Sequence, residues 1–120
     1  MKIAISSRNG SPDKNFQSRF ARCENFAVFD QNLGTWENLK NPAGDSHGGA
    51  GPKVVQFLAD HGIQAVISGR YGPHAFTALQ AAGIEAYLAD QGTPEALVKA
   101  LQAGELKLAN GASGPGRHGS

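Results

Sequence analysis

From Pro52 to Gly104 the chain switches repeatedly between two hydrophobic periods, and this alternation constrains the fold more than any other feature of the sequence. After Pro52, residues Val54, Val55, Leu58 and Ala59 recur at helical spacing and stop at Gly62. Ala65-Val66-Ile67-Ser68 is then a short continuous apolar run, which reads as a buried strand. A second helix is predicted from about Pro73 to Ala82, with Ala75, Phe76 and Leu79 inward and Gly83 as its stop. Residues 84–88 form the next strand. Thr93-Pro94-Glu95 supplies an N-cap, a first-turn proline and a first-turn acid for a last helix running through Leu101 and ending at Gly104. Strand and helix in strict alternation imply right-handed crossovers and parallel pairing.

The first half differs. Ile3-Ala4-Ile5 is a buried strand that runs into the polar loop beginning Ser6-Ser7-Arg8. Residues 16–22 are amphipathic and fit a single helical turn. Residues 26–30 and 35–40 flank Gln31-Asn32-Leu33-Gly34 and read as a β-hairpin. The order β, β-hairpin, α, β, α, β, α gives an α/β domain over residues 1–108, a three-layer α/β/α arrangement around a mixed five-stranded sheet. The Gly-rich tail, residues 109–120, holds too little apolar material to order itself and is expected to be mobile.

Composition removes several function classes. With 120 residues, 40% hydrophobic and 18% charged, one ordinary domain with a real core is expected. The single Cys excludes a disulfide framework and any CxxC-type metal site built by this chain alone. A net charge of +1 argues against a nucleic-acid binder. No apolar run approaches the roughly 20 residues that span a bilayer, so a cytoplasmic domain without membrane contact is expected. The 16 glycines, about twice the usual share, are the anomaly.

Gly62, Gly83 and Gly104 are explained as helix stops. Gly44, Gly48, Gly49 and Gly51 precede the first long helix, while Gly69 and Gly72 follow the 65–68 strand and precede the second. If the first strand pairs with residues 65–68, the loops 6–13, 41–51 and 69–73 converge at one sheet edge, where open α/β sheets bind ligands. Helix N-termini, glycines and the cations Arg8 and Arg70 make such a crevice suited to an anion, with Arg19 and Arg22 as further cations that the fold could bring near it. His47, His74 and Cys23 are the candidate ligands for a soft or borderline metal, and Tyr71 a candidate aromatic wall. His61 reads as a helix-end residue and His118 as a solvated tail residue. No GxxxxGK[ST] loop, acidic cluster on the first strand, or Ser–His–Asp pattern is evident, so catalysis is poorly supported.

Several segments together carry a family resemblance: Met1-Lys-Ile-Ala-Ile, Ser18-Arg-Phe-Ala-Arg-Cys-Glu-Asn-Phe26, Asn41-Pro42, His47-Gly-Gly-Ala-Gly-Pro-Lys53, and Gly69-Arg-Tyr-Gly-Pro-His-Ala-Phe76. In this order and spacing they resemble the dinitrogenase iron–molybdenum cofactor biosynthesis family, over about residues 1–108. The resemblance implies a ribonuclease-H-like α/β fold and a non-enzymatic carrier of an anionic molybdenum-containing metal–sulfur cluster. That cargo would be of the molybdenum–copper sulfide or iron–molybdenum type, exchanged with a delivering or accepting protein. Members of the family often carry His-Phe-Gly-Arg where this chain has Ser18-Arg19-Phe20-Ala21-Arg22, so that segment offers no His ligand here.

The site expected on these grounds comprises Arg8, His47, Gly48, Gly49, Gly69, Arg70, Tyr71, Gly72 and His74, with Cys23 and His47 as metal contacts. The competing reading is a small enzyme acting on a phosphorylated metabolite or nucleotide in the same crevice, with His47, His74 or Asp45 as its general base.

Overall fold

The computed structural model describes residues 1–8, 16–43 and 50–109. The strands are β1 (Lys2–Ser7), β2 (Asn25–Asp30), β3 (Thr35–Lys40), β4 (Ile63–Ser68), β5 (Glu85–Leu88) and β6 (Lys107–Leu108). The helices are α1 (Ala50–Asp60), α2 (Pro73–Ala82) and α3 (Pro94–Gln102). They build one six-stranded sheet in the order β3-β2-β1-β4-β5-β6. Strands β1, β4 and β5 run parallel, as alternation with helices requires, while β2, β3 and β6 pair antiparallel.

The expectation of five strands is corrected to six. Leu108 pairs with Tyr87 and Lys107 with Leu88, and the Ala109 amide bonds the Ala86 carbonyl at 2.8 Å. Both β6 residues are exposed, so neither alternation nor an apolar run marks them.

Strand parity divides the core. Ala4 and Val66 face one side of the sheet, where they join Val54, Val55 and Leu58 of α1 and Ala75 and Leu79 of α2. Ile3, Ile5, Ala65 and Ile67 face the other, against Leu97 and Val98 of α3. Helices thus cover both faces, and β1 and β4 are buried on both, which is why they read as unbroken apolar runs. Each fully buried Ile or Leu contributes on the order of 2 kcal/mol.

The local signals hold. Gly62, Gly83 and Gly104 all take left-handed φ values of 73° to 75° at the ends of the three helices. Thr93 caps α3 by accepting from the Ala96 amide at 3.1 Å. In the β2–β3 hairpin the Asp30 carboxylate accepts from the Asn32 and Leu33 amides at 2.9 and 3.2 Å.

Of residues 16–22, only 20–22 form a turn. Phe16 bridges Ser7 and Arg19 bridges Arg70, so the segment runs as a strap across the ends of β1 and β4. Helix α1 begins at Ala50 and encloses Gly51, instead of starting at Pro52.

Candidate functional site

The strand registers bring several chain ends to one edge of the sheet. Ser7 at the end of β1 pairs with Asn25 at the start of β2, and Asn25 in turn pairs with Lys40 at the end of β3. Ser68 at the end of β4 pairs with Leu88 at the end of β5. The stretches after β1, β3, β4 and β5 therefore leave from the same side.

Arg8 follows β1, is exposed, and is held through its carbonyl, which accepts from the Asn25 side chain at 2.7 Å. Beyond β4 the chain alternates. Arg70 is exposed, Tyr71 fully buried, Gly72 exposed again. Gly72 is the N-cap of α2, with φ −67° and ψ 165°, and no side chain caps this helix. A Cβ on Gly72 would meet nothing within 4 Å, so the fold itself places no demand for glycine there. The N-terminal end of the α2 dipole and the Arg70 guanidinium give this spot a positive potential. His74 lies exposed in that first turn.

Gly69 answers to packing. A Cβ there would lie 2.7 Å from the Ser18 Cβ and 3.0 Å from the Ala89 carbonyl oxygen. The strap occupies that space. It is tied down by Gln17 N–H to the Ser6 carbonyl at 3.0 Å, Gly69 N–H to the Ser18 carbonyl at 3.0 Å and Phe20 N–H to the Arg70 carbonyl at 3.2 Å. Two buried hydroxyls add to it. Ser68 Oγ donates to the Ser18 carbonyl at 3.1 Å, and Ser6 Oγ bonds Ser68 Oγ at 2.8 Å and contacts the Gln17 carbonyl.

Sequence reasoning missed these serines and also Asn41. The Asn41 side chain donates to the Ala21 and Cys23 carbonyls at 3.1 and 2.8 Å and accepts from the Ala43 amide at 2.9 Å. The available signal was weak: serines directly after apolar runs, and an Asn opening a Gly-rich loop.

Tyr71 and Cys23 sit in the core, away from solvent. The Tyr71 ring packs on Phe20 with centroids 5.3 Å apart, and its hydroxyl donates to the Tyr87 carbonyl at 2.6 Å. Burial raises its pKa well above the ordinary phenol value. The Cys23 thiol donates to the Phe20 carbonyl at 3.2 Å, and burial pushes its pKa up to about 12. Without a metal this sulfur is a thiol at neutral pH. Among the described residues no three His, Cys, Asp or Glu side chains gather as a metal-binding group.

His61 fits its helix-end reading, with Nδ1 2.8 Å from the Phe57 carbonyl oxygen. His47, Gly48, Gly49, Gly44, Asp45 and His118 lie outside the described residues, as does the tail from 110 onward. Gly51, placed in that loop by sequence, belongs to α1. No helix among the described residues is long and apolar enough to cross a membrane. Two surface hollows lie elsewhere. One, of about 330 Å³, runs between α1 and α2 over Val55, Ala59 and Ala78; the other lies beside Lys2 and Asp30 at the opposite end of the sheet.

The fold resembles several solved structures. The apo form of the orange protein from Desulfovibrio gigas superimposes with a TM-score of 0.89 at 31% identity, covering 94% of this chain and 96% of that one. A putative NifB protein from Thermotoga gives a TM-score of 0.84 at 34% identity, covering 96% and 98%. An uncharacterized protein of Methanocaldococcus jannaschii is 27% identical over 110 residues, 89% of this chain and 90% of its own length. Residues 1–104 match the family described as dinitrogenase iron-molybdenum cofactor. The chain belongs to the dinitrogenase iron-molybdenum cofactor family.

Proposed function

We propose that this chain is a non-enzymatic carrier of an anionic, molybdenum-containing metal–sulfur cluster, of the molybdenum–copper sulfide or iron–molybdenum type. The observation that carries the reading is the Arg70–Gly72 stretch: an exposed guanidinium two residues before a helix N-terminus that no side chain caps. A large anion is attracted by both, and an exposed glycine lets it approach the backbone closely. Arg8 adds a cation from the end of β1, and His74 an imidazole from the first turn of α2.

The donor chemistry suits a cargo held by charge and N–H groups more than one ligated by thiolate, because Cys23 is buried in the core. His47, with Gly48 and Gly49, is the proposed direct contact from the Gly-rich loop. Membership of a cofactor-related family and the likeness to the orange protein support binding and hand-over, to a delivering or accepting protein, in preference to turnover of a substrate.

Titration of the metal-free protein with tetrathiomolybdate and copper, followed by charge-transfer absorbance, tests the reading. A protein-dependent spectrum that Arg70→Ala weakens and His61→Ala leaves intact is the expected result. The absence of any protein-dependent spectrum, or thermal stabilisation by nucleotides and not by thiometallates, overturns it.

A further inference from the structure

Arg19 and Arg70 are partners in a parallel β-bridge. Paired positions across a ladder project to the same face, and like charges there repel. Both residues are exposed, and neither side chain has a hydrogen-bond or ion-pair partner among the described residues. Two like charges at bridged positions, with no ion-pair partner among the described residues, are unfavourable for folding alone.

The arrangement is nevertheless held from several sides. The Phe20 amide bonds the Arg70 carbonyl at 3.2 Å, and the Gly69 amide bonds the Ser18 carbonyl at 3.0 Å. Ser68, itself fully buried, donates to the same Ser18 carbonyl. Gly69 leaves room for the strap that no side chain would leave. A strap without Arg19 could make every one of these bonds, since all of them run through backbone or serine groups. The guanidinium of Arg19 is thus surplus to the fold.

We propose that Arg19 and Arg70 form a two-guanidinium clamp for a compact tetrahedral oxo- or thioanion carrying two or more negative charges. The clamp rests on the carrier reading of the same edge, and adds to it a second cationic residue and a rule of selection by charge. Each guanidinium presents a planar fork of donors to one edge of a tetrahedron. A dianion compensates both cations, whereas a monoanion of the same shape leaves the repulsion half relieved. The N-terminus of α2, beginning at Pro73, contributes the same sign of potential beside Arg70.

Calorimetric titration of the full chain with tetrathiomolybdate, molybdate and perrhenate tests the clamp, since perrhenate keeps the tetrahedral shape with a single charge. The wild type is expected to bind the two dianions at least about tenfold tighter than perrhenate. Arg19→Gln and Arg70→Gln should each weaken dianion binding by about tenfold or more, the scale of one lost charge-assisted hydrogen bond. The double variant should lose less than the product of the two, and Arg19→Lys should recover part of the loss. Lys99→Gln, on α3, removes the same charge and should change nothing. Wild-type affinity in Arg19→Gln, or perrhenate bound as tightly as molybdate, overturns the clamp while leaving the carrier reading intact if tetrathiomolybdate still binds. Failure of the wild type to bind any of the thio- or oxoanions overturns both.

Discussion

Gly51 of α1 lies directly against Ala75 of α2, so close that a Cβ on Gly51 would stand 2.8 Å from the Ala75 amide nitrogen and 2.9 Å from its Cβ. The obstacle is backbone, which cannot rotate away as a side chain can. Helix propensity alone favours alanine over glycine by up to about 1 kcal/mol, but overpacking of this kind costs about 1–3 kcal/mol. Gly51→Ala should therefore lower stability in urea unfolding; an increase would show that the two helices separate at little cost.

Gly72 calls for the opposite outcome. Its φ of −67° suits any residue, and a side chain there meets open space. Gly72→Ser should leave stability within a few tenths of a kcal/mol, since serine and glycine are both accepted N-caps. Serine would, however, add a side chain that obstructs close approach of an anion to the N-terminus of α2. Thiomolybdate affinity is expected to fall while the unfolding midpoint stays in place.

Asn41 ties together two chain segments with three hydrogen bonds while being almost completely buried. Asn41→Ala leaves the Ala21 and Cys23 carbonyls and the Ala43 amide unpaired, at a cost of about 2–4 kcal/mol. Urea unfolding should show that loss. Asn41→Asp should also destabilise, because a carboxylate would face two carbonyl oxygens where the amide donates.

Alkaline pH should destabilise the fold in a defined window. The Cys23 thiol titrates near 9.0 in the unfolded chain and near 12 when folded. Between these values the unfolded chain gives up a proton that the folded chain retains, so stability is full below pH 9 and declines as pH rises toward 12. Tyr71 acts in the same direction from its ordinary value of 10.0 upward. The unfolding temperature should fall through this range, and Cys23→Ala should make the fall shallower from its onset near pH 9. In the native protein at pH 8, Cys23 should react with a thiol reagent far more slowly than in urea, and cluster binding should survive Cys23→Ala.

How much could be read in advance depended on the range of the interaction concerned. The runs at Ile3–Ile5 and Ala65–Ile67 were legible because strands covered by helices on both faces must be apolar throughout. The helix stops at Gly62, Gly83 and Gly104 were legible because left-handed φ is a property of the residue and its immediate neighbours. Strand β6 was not, since two exposed residues pair through backbone alone and leave no mark in hydrophobicity. In the sequence Gly51 looks like a loop glycine, because the demand on it comes from Ala75 on another helix.

By itself, the sequence determined the strand–helix alternation, the parallel core of the sheet and the edge to which Arg8, Arg70 and Gly72 belong. Local periodicity and backbone propensity suffice for that. Tertiary structure alone decided that Tyr71 and Cys23 point into the core, that residues 16–20 cross the sheet edge as a strap, and that Arg19 stands beside Arg70. These outcomes rest on hydrogen bonds such as Ser6 to Ser68 and Ser68 to Ser18, between groups 62 and 50 residues apart. Contacts at that separation are selected by how the helices and sheet pack as a whole, and no window of neighbouring residues records them.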